Sequence, residues 1–337
     1  MDLVELADRL RHWAAAELLP GAGVDDVAPM PGNAGLSFGF DVVGRTGGLR
    51  RSLVIRFAPP GVRRTGNTDV LRQVPLLSAL QQNHIPVAPV IWSTADPVWF
   101  GTDAIVQERL SARPLRLWGP GTGHRPSGGD VAPLLRRAVE TLAALHALDW
   151  RRVLGDWEAP RSVADELGHW ERLLDKHPNP AWTQAGRELA GALSRNDFGP
   201  HRVGVFHGDY HTNNILFGVD GSVAAVIDWE LAGIGPTGLD LGWLTLMTDP
   251  SCWHPDQVRR MRVVAEPAQL QDWYESASGL PVKHPDWYRA LACYRFGAIA
   301  GFNVRLHRTG RRPDPFYEDI ATSVPVFFER GRELVGR

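Results

Sequence analysis

The sequence predicts an α+β chain in which a short, strand-rich N-terminal part precedes a larger, mainly helical C-terminal part. Three observations carry this. Residues 27–57 hold two strand-like patterns, VAPMPGNAGLSFGFDVV and RRSLVIRFAPP, separated by the turn-like Gly44–Gly48. From Val131 onward, apolar residues recur every three or four positions, the spacing of a helix face. Within the helical part, VGVFHGDYHTNNILFGVDGSVAAVIDWE, from Val203 to Glu230, returns to a strand, turn and strand pattern.

Leu3, Leu6, Leu10 and Trp13 share one helical face while Asp2, Glu5, Asp8, Arg9 and Arg11 take others, which predicts an amphipathic helix over 2–18, ended by Pro20 and Gly21. Residues 27–57 then predict two antiparallel strands with a Gly-rich tip, Gly32 to Ser37. A helix is expected from Thr68 to Gln82. Pro75 falls inside it, where it removes a hydrogen bond and clashes one turn back, so a kink is expected near Val74. VAPVIW and AIVQERL read as further strands. Residues 111–130, rich in Gly, Pro and Arg, read as a surface loop, which divides the chain into 1–110 and 111–337.

In the second part, Leu134, Leu135, Ala138, Leu142 and Leu145 form one apolar face, with His146 beside it as a core residue. Helices follow at about 162–175 and 182–195. In GLDLGWLTLM, Asp240 stands where it could cap backbone amides and hold the preceding loop. Residues 255–335 read as helical and rich in aromatic side chains.

Composition narrows the function classes. With 337 residues, 44% hydrophobic and 22% charged, the chain can bury a substantial core. A formal net charge of -2 gives no general attraction to nucleic acid or to an anionic membrane. Cys252 and Cys293 make neither a metal-ligand spacing nor a disulfide framework, as in a reducing compartment. MDLVELADRL lacks the positive charge of a signal peptide, and no run approaches the roughly 18 apolar residues of a membrane span. A soluble, cytoplasmic protein is expected, with neither nucleic acid nor membrane as partner; no oligomeric state is specified.

The Val203–Glu230 stretch carries the chemistry. Val203, Val205 and Phe206 form a short strand that delivers His207, Gly208 and Asp209 into a loop; Ile215–Phe217 is a second strand, Asp220-Gly221 a hairpin turn, and Val223–Ile227 the return. With a two-residue turn, facing residue numbers sum to 441, so Asn214 lies opposite Ile227, or opposite Asp228 across a one-residue bulge. Asp209, Asn214 and Asp228 are thereby drawn together. A hard cation such as Mg2+ takes one or two protein oxygens and completes its shell with phosphates and water, which suits Asn214 and Asp228. Asp209 is left to orient a hydroxyl and accept its proton. A different reading groups His207, Asp209 and His211 with Asp228 as the metal site of a hydrolase.

The spacing Asp-x-x-x-x-Asn, followed by an Asp beyond a hairpin, resembles the catalytic and metal-binding loops of the protein-kinase-like fold. HGDYHTNN and IDWE are similar to the forms these loops take in the aminoglycoside phosphotransferase family of small-molecule kinases. The resemblance covers roughly residues 25–310. It implies two lobes: a small one built on an antiparallel sheet of about five strands, and a larger, mainly helical one. It also implies Mg2+-dependent transfer of a γ-phosphoryl group from ATP or GTP to a hydroxyl of a small molecule, antibiotic or metabolite. Asp209 would be the catalytic base, and Asn214 and Asp228 the metal ligands. Gly32, Gly35 and Ser37 fall in the family's nucleotide-covering loop, Arg56 where kinases carry a phosphate-holding Lys, and Gln107, Glu108 and Leu110 at the hinge that holds the purine base. A silent nucleotide-binding relative is the alternative.

One position departs from the family's pattern: the acidic partner of the strand cation is Gln73 here, which can hydrogen-bond Arg56 without neutralising it. The C-terminal region forms most of the acceptor pocket in the resembling family. In this chain Lys283, Arg289, Arg295, Arg305, Arg308, Arg311 and Arg312 face only Asp286 between 281 and 313, interleaved with Trp287, Tyr288, Tyr294, Phe296 and Phe302. That pattern suits a neutral or apolar acceptor, or else a solvated helix face.

Overall fold

A computed structural model describes residues 2–30, 36–45, 50–59, 61–119 and 131–336. The chain clusters into two compact units, Met1–Ala112 with Ala224–Leu231, and Arg113–Val223 with Ala232–Arg337.

In the first unit, the amphipathic face of α1 (Leu3–Trp13) buries Leu6, Leu10 and Trp13, and Asp2 caps the helix by accepting from the Val4 amide. A π-helical turn, Ala14–Leu18, follows. Five strands form one antiparallel sheet: β1 (Gly23–Pro29), β2 (Ser37–Val43), β3 (Arg50–Phe57), β4 (Val90–Thr94) and β5 (Ala104–Glu108), in the order β1-β2-β3-β5-β4. Leu6, Leu10 and Trp13 belong to the same buried cluster as Phe40, Val42, Leu53, Ile55 and Val106, so α1 covers a sheet face that would otherwise meet water. Each such side chain contributes ~1.5–3 kcal/mol by burial.

Residues 27–57 form parts of three strands, not two. The stretch GVDDVAP conceals β1 because an edge strand need not alternate cleanly: Asp25 and Asp26 stay exposed, and the register shifts between Asp25 and Ala28. The expected helix from Thr68 is also shorter. Gly66–Thr68 makes a 3-10 turn, and α2 runs Gln73–Gln82. Pro75 is therefore in the first turn, where backbone N–H groups have no intrahelical acceptor, so no kink is needed. The short helix α3 (Pro97–Phe100) links β4 to β5.

In the second unit, β6 (Arg113–Pro114) pairs with β8 (Ile215–Phe217), and β7 (Val203–Phe206) pairs with β10 (Gly233–Pro236). The strand β9 (Val223–Val226) crosses into the first unit, where Val226 donates to the Pro86 carbonyl at 2.8 Å and bridges Val87. The helices are α4 (Ala132–His146), α5 (Trp150–Leu154), α6 (Val163–Leu174), α7 (Pro180–Arg195), α8 (Gly238–Thr248), α9 (Pro255–Val258), α10 (Pro267–Ser278), α11 (Pro285–Arg308), α12 (Phe316–Ala321) and α13 (Val324–Val335). The face predicted for α4 is buried as read, Leu134 through Leu145.

The stretch after 111 is not simply a surface loop. Leu115 and Leu117 are buried, and Trp118 packs edge-on against Trp253; residues 120–130 lie outside the described ones. All of α8 from Leu239 on is buried, as an all-round apolar helix must be. Gly242 lets it approach α11: a Cβ there would stand 2.4 Å from the Tyr288 carbonyl oxygen. Trp287, Tyr288 and Tyr294 are core residues. Arg289 is paired with Asp249 and Asp286, and Arg308 with Glu318, so this basic stretch does not act as one free cationic face. Among the described residues no helix is long and apolar enough to cross a membrane.

Candidate active site

The pairing of β7 with β10 fixes the point at which the chain leaves the strand as His207-Gly208-Asp209. Two amides there have no strand partner, and one carboxylate takes both. Asp240, fully buried near the start of α8, accepts from the His207 amide at 2.7 Å and the Gly208 amide at 2.8 Å. This is the hold on the loop expected of Asp240. Burial pushes its carboxyl up, but His146 and His207 beside it prevail and keep it below the usual carboxylate range. His146 thus does more than pack: its Nε2 lies 3.2 Å from Asp240 and its Nδ1 2.8 Å from the Tyr274 hydroxyl. Gly208 has φ +84°, open to glycine at no steric cost. Beyond it, the Tyr210 hydroxyl donates to the Ala138 carbonyl of α4.

Asp209 is held from several sides. The Trp243 indole N–H donates to Oδ1 at 2.8 Å, the Asn214 amide to Oδ2 at 3.0 Å, and His211 Nε2 stands 3.2 Å from Oδ1. The Asp209 amide donates to His207 Nδ1. Burial would raise the Asp209 carboxyl; His211, His207 and the indole outweigh it and hold the group far below the ordinary range, an anion at any physiological pH. A quarter of the side chain remains exposed.

Asn214 ends a short 3-10 turn, Thr212–Asn214. Its amide nitrogen is bound to both the Asp209 carbonyl and Oδ2, which orients the amide and leaves its oxygen as the group for a cation. The following hairpin loop differs from the two-residue turn expected. Gly218 donates to the Ser222 carbonyl and Gly221 to the Gly218 carbonyl, with Gly221 at φ +76°: a three-residue loop whose glycine makes the bulge.

Within the first unit, Arg56 on β3 is mostly buried. Its Nη2 lies 3.1 Å from Asp228 Oδ1, and its Nη1 donates to buried Gln73 at 3.3 Å. Gln73 therefore makes the neutral hydrogen bond expected, and the charge on Arg56 is answered by Asp228. Asp228 itself sits at φ +67°, strained for a residue with a Cβ, and keeps a half-exposed carboxylate there. Carboxylate and amide oxygens are the donors Mg2+ prefers, so the chemistry of Asp228 and of Asn214 fits that ion.

Of the other predicted residues, Gly32 and Gly35 lie outside the described ones. Ser37 opens β2 opposite Arg56. Gln107 turns its side chain inward to the Ala88 carbonyl; Glu108 pairs with Arg51 and gives its amide to Pro89. Leu110 is half-buried just after β5. For the hydrolase reading, no three His, Cys, Asp or Glu side chains gather among the described residues as a metal ion would require.

Trp243 and Arg295 escaped sequence reasoning as loop residues. Arg295 donates to the Gly208 carbonyl at 3.0 Å from 87 positions away. A signal was present: it is the one charged residue in ALACYRFGAIAGF, 290–302.

A short strand that presents an anionic Asp on a braced loop, with an Asn five positions on, is the arrangement of a phosphotransferase with the protein-kinase-like fold. Residues 33–277 match the model of the APH phosphotransferase enzyme family, and the chain belongs to that family. Among curated proteins it is 26% identical over 301 residues to mouse (Mus musculus) acyl-CoA dehydrogenase family member 11, covering 85% of this chain and 38% of the relative. The chain thus spans well under half the length of that relative. Among solved structures it resembles a Ralstonia eutropha JMP134 protein provisionally named an aminoglycoside phosphotransferase, with TM-score 0.76, 20% identity and 98% of each chain covered. It also resembles a thermostable mutant of aminoglycoside phosphotransferase APH(4)-Ia in complex with AMP-PNP and hygromycin B, with TM-score 0.58, 14% identity, and 97% of this chain and 98% of that one covered. These two likenesses show the fold.

Proposed function

We propose that this protein transfers the γ-phosphoryl group of ATP or GTP to a hydroxyl of a small molecule, an antibiotic or a metabolite, with Mg2+. The observation that carries the reading is the geometry of Asp209: a partly exposed carboxylate on the braced loop, aimed by Trp243 and Asn214, with His211 and His207 beside it favouring the anion. Such a group is a weak base, suited to orienting a hydroxyl and taking its proton late, as the new bond forms. The acceptor O–H gives its proton to Asp209, its oxygen bonds to the γ-phosphorus, and the bond to the β,γ-bridging oxygen breaks, releasing the nucleoside diphosphate. Asn214 and Asp228 are the residues that would hold Mg2+, which neutralises phosphate charge when bound. Arg56 steadies the phosphates, exchanging its ion pair with Asp228 for contacts to them.

The family membership and the nucleotide held by the APH(4)-Ia structure support a nucleotide co-substrate. For the acceptor, aminoglycosides such as hygromycin B belong in the panel because that neighbour binds one, and hydroxyacyl thioesters belong there because the matched relative is named for acyl-CoA chemistry. Asp209→Asn is the test. Mg-nucleotide affinity should persist while phosphoryl transfer falls by ~10²-fold or more. Retained turnover would remove Asp209 from the reaction, loss of metal with activity would favour a hydrolase, and no turnover in the parent would favour a silent relative.

A further inference from the structure

Arg295 is a deeply buried cation of the second unit that the reaction outlined above does not use: its side chain is 1% exposed, at the middle of α11. Its Nη2 donates to the carbonyl of Gly208, the residue immediately before Asp209. The guanidinium lies between two indole faces, with Cζ 5.0 Å from the ring centres of both Trp170 and Trp243. Trp243 is the ring whose N–H donates to Asp209. Glu166, equally buried, stands 3.8 Å from Nε and is engaged by Arg161 at 3.0 Å and the Trp170 indole at 3.1 Å. Among the described residues, Nε and Nη1 have no hydrogen-bond partner.

A site selected for stability alone would not keep such a charge there. Burying a guanidinium with two unsatisfied donors is costly, and a long apolar side chain would fill the same slot between the indoles. What an apolar group cannot do is bind the Gly208 carbonyl and face the π-cloud of Trp243 with positive charge. Both contacts end at Asp209, one through the peptide that carries it and one through the indole bonded to its carboxylate. The positive charge also lies close enough to Asp209 to interact with it directly, which favours the anion.

We infer that Arg295 is a positioning residue for phosphoryl transfer, fixing the Gly208-Asp209 peptide and the Trp243 indole so that the Asp209 carboxylate is presented in one orientation. This rests on Asp209 being the base. It does not require the acceptor to be known, because water can take the acceptor's place: the probe is inorganic phosphate release from Mg-ATP.

Arg295→Met keeps the length and removes the charge; Arg295→Lys keeps the charge and loses the planar fork; Trp243→Phe keeps the ring and loses the N–H. In the full-length protein, Arg295→Met should lower phosphate release at saturating Mg-ATP by about tenfold or more while the Mg-ATP Kd stays within about twofold, a turnover effect without a binding effect. Arg295→Lys should recover part of the loss, and Trp243→Phe should reproduce it in direction. Arg295→Met turning over at the parent rate, while Asp209→Asn does not, would overturn the inference and leave Asp209 as the base. Turnover retained by Asp209→Asn would overturn the reading of Asp209 itself. Should Arg295→Met fail to fold, Trp243→Phe at the parent rate, or Arg295→Lys with turnover and Kd weakened together, would still overturn it.

Discussion

Replacing Asp240 by Asn is the sharpest probe of how the loop before Asp209 is held, because the variant keeps the shape and removes one acceptor and the charge. In the parent the carboxylate accepts the His207 amide at 2.7 Å, the Gly208 amide at 2.8 Å, and meets His146 at 3.2 Å, all without solvent. Asn can offer its oxygen to one amide only, and its NH2 then confronts the other. A hydrogen bond to a charged group contributes ~1.5–3 kcal/mol and a buried donor left unmatched costs about 1–3, so a loss of ~3–5 kcal/mol is expected. That is a large fraction of the ~5–15 kcal/mol of a whole domain. Since each 1.4 kcal/mol is a factor of ten, amide exchange at His207 and Gly208 should accelerate by about 10²-fold or more. Hydrogen exchange read on peptides spanning 204–210 measures this without requiring one cooperative unfolding step.

The sign with pH follows from the same carboxylate. Its folded-state value lies below the unfolded one, so the unfolded chain binds more protons in the acid range. The stabilisation is fully present above the unfolded value of about 3.9 and is lost as pH falls through the folded one. The variant should show a shallower loss of stability below about pH 4 than the parent. Unchanged exchange at both amides, or an acid limb identical to the parent's, would refute the account of Asp240 as the anchor.

Three further substitutions test the cation pair of the first unit. Asp228→Ala should abolish the Mg2+ dependence of nucleotide binding in calorimetry, since a hard cation loses its carboxylate; unchanged Mg-nucleotide affinity would remove Asp228 as a ligand. Arg56→Ala should weaken nucleotide binding, by ~10–100-fold for a lost charge-assisted contact, whereas Gln73→Glu should fold and draw Arg56 away from Asp228, since the new carboxylate would start 3.3 Å from Nη1. A nucleotide titration of each variant decides it, and parent-like affinity in Arg56→Ala would make Arg56 an ordinary strand residue.

Local pattern carried much of this fold. The apolar faces of α1 and α4 are legible because each depends on neighbours three or four positions away. So was the Gln73 partner of Arg56, through its place in the family's pattern. What could not be read depends on distant chain. Gly233–Pro236 has a composition that argues against a strand, and becomes one only because β7 lies beside it. Pro75 is a helix breaker or a harmless first-turn residue according to where α2 begins, which the turn at Gly66–Thr68 decides. Trp243 stands in the apolar run GLDLGWLTLM, and Arg295 belongs to a pattern that suits an acceptor pocket or a solvated helix face. Their roles follow from α8 and α11 packing at Gly242, and no spacing in the sequence announces that.

The assignment of Ala224–Leu231 to the first unit, with both flanking stretches in the second, has a consequence at the level of the gene. A single crossover after residue 112 would carry Arg56 and Gln73 away while leaving behind Val226, which bridges Val87, and Asp228, which answers the Arg56 charge. A recombinant built that way sets Arg56 and Val87 of one parent against residues 226 and 228 of the other. Exchange of the first unit between relatives therefore calls for two exchanged segments, whereas material joined before residue 1 or after residue 337 leaves both pairs intact.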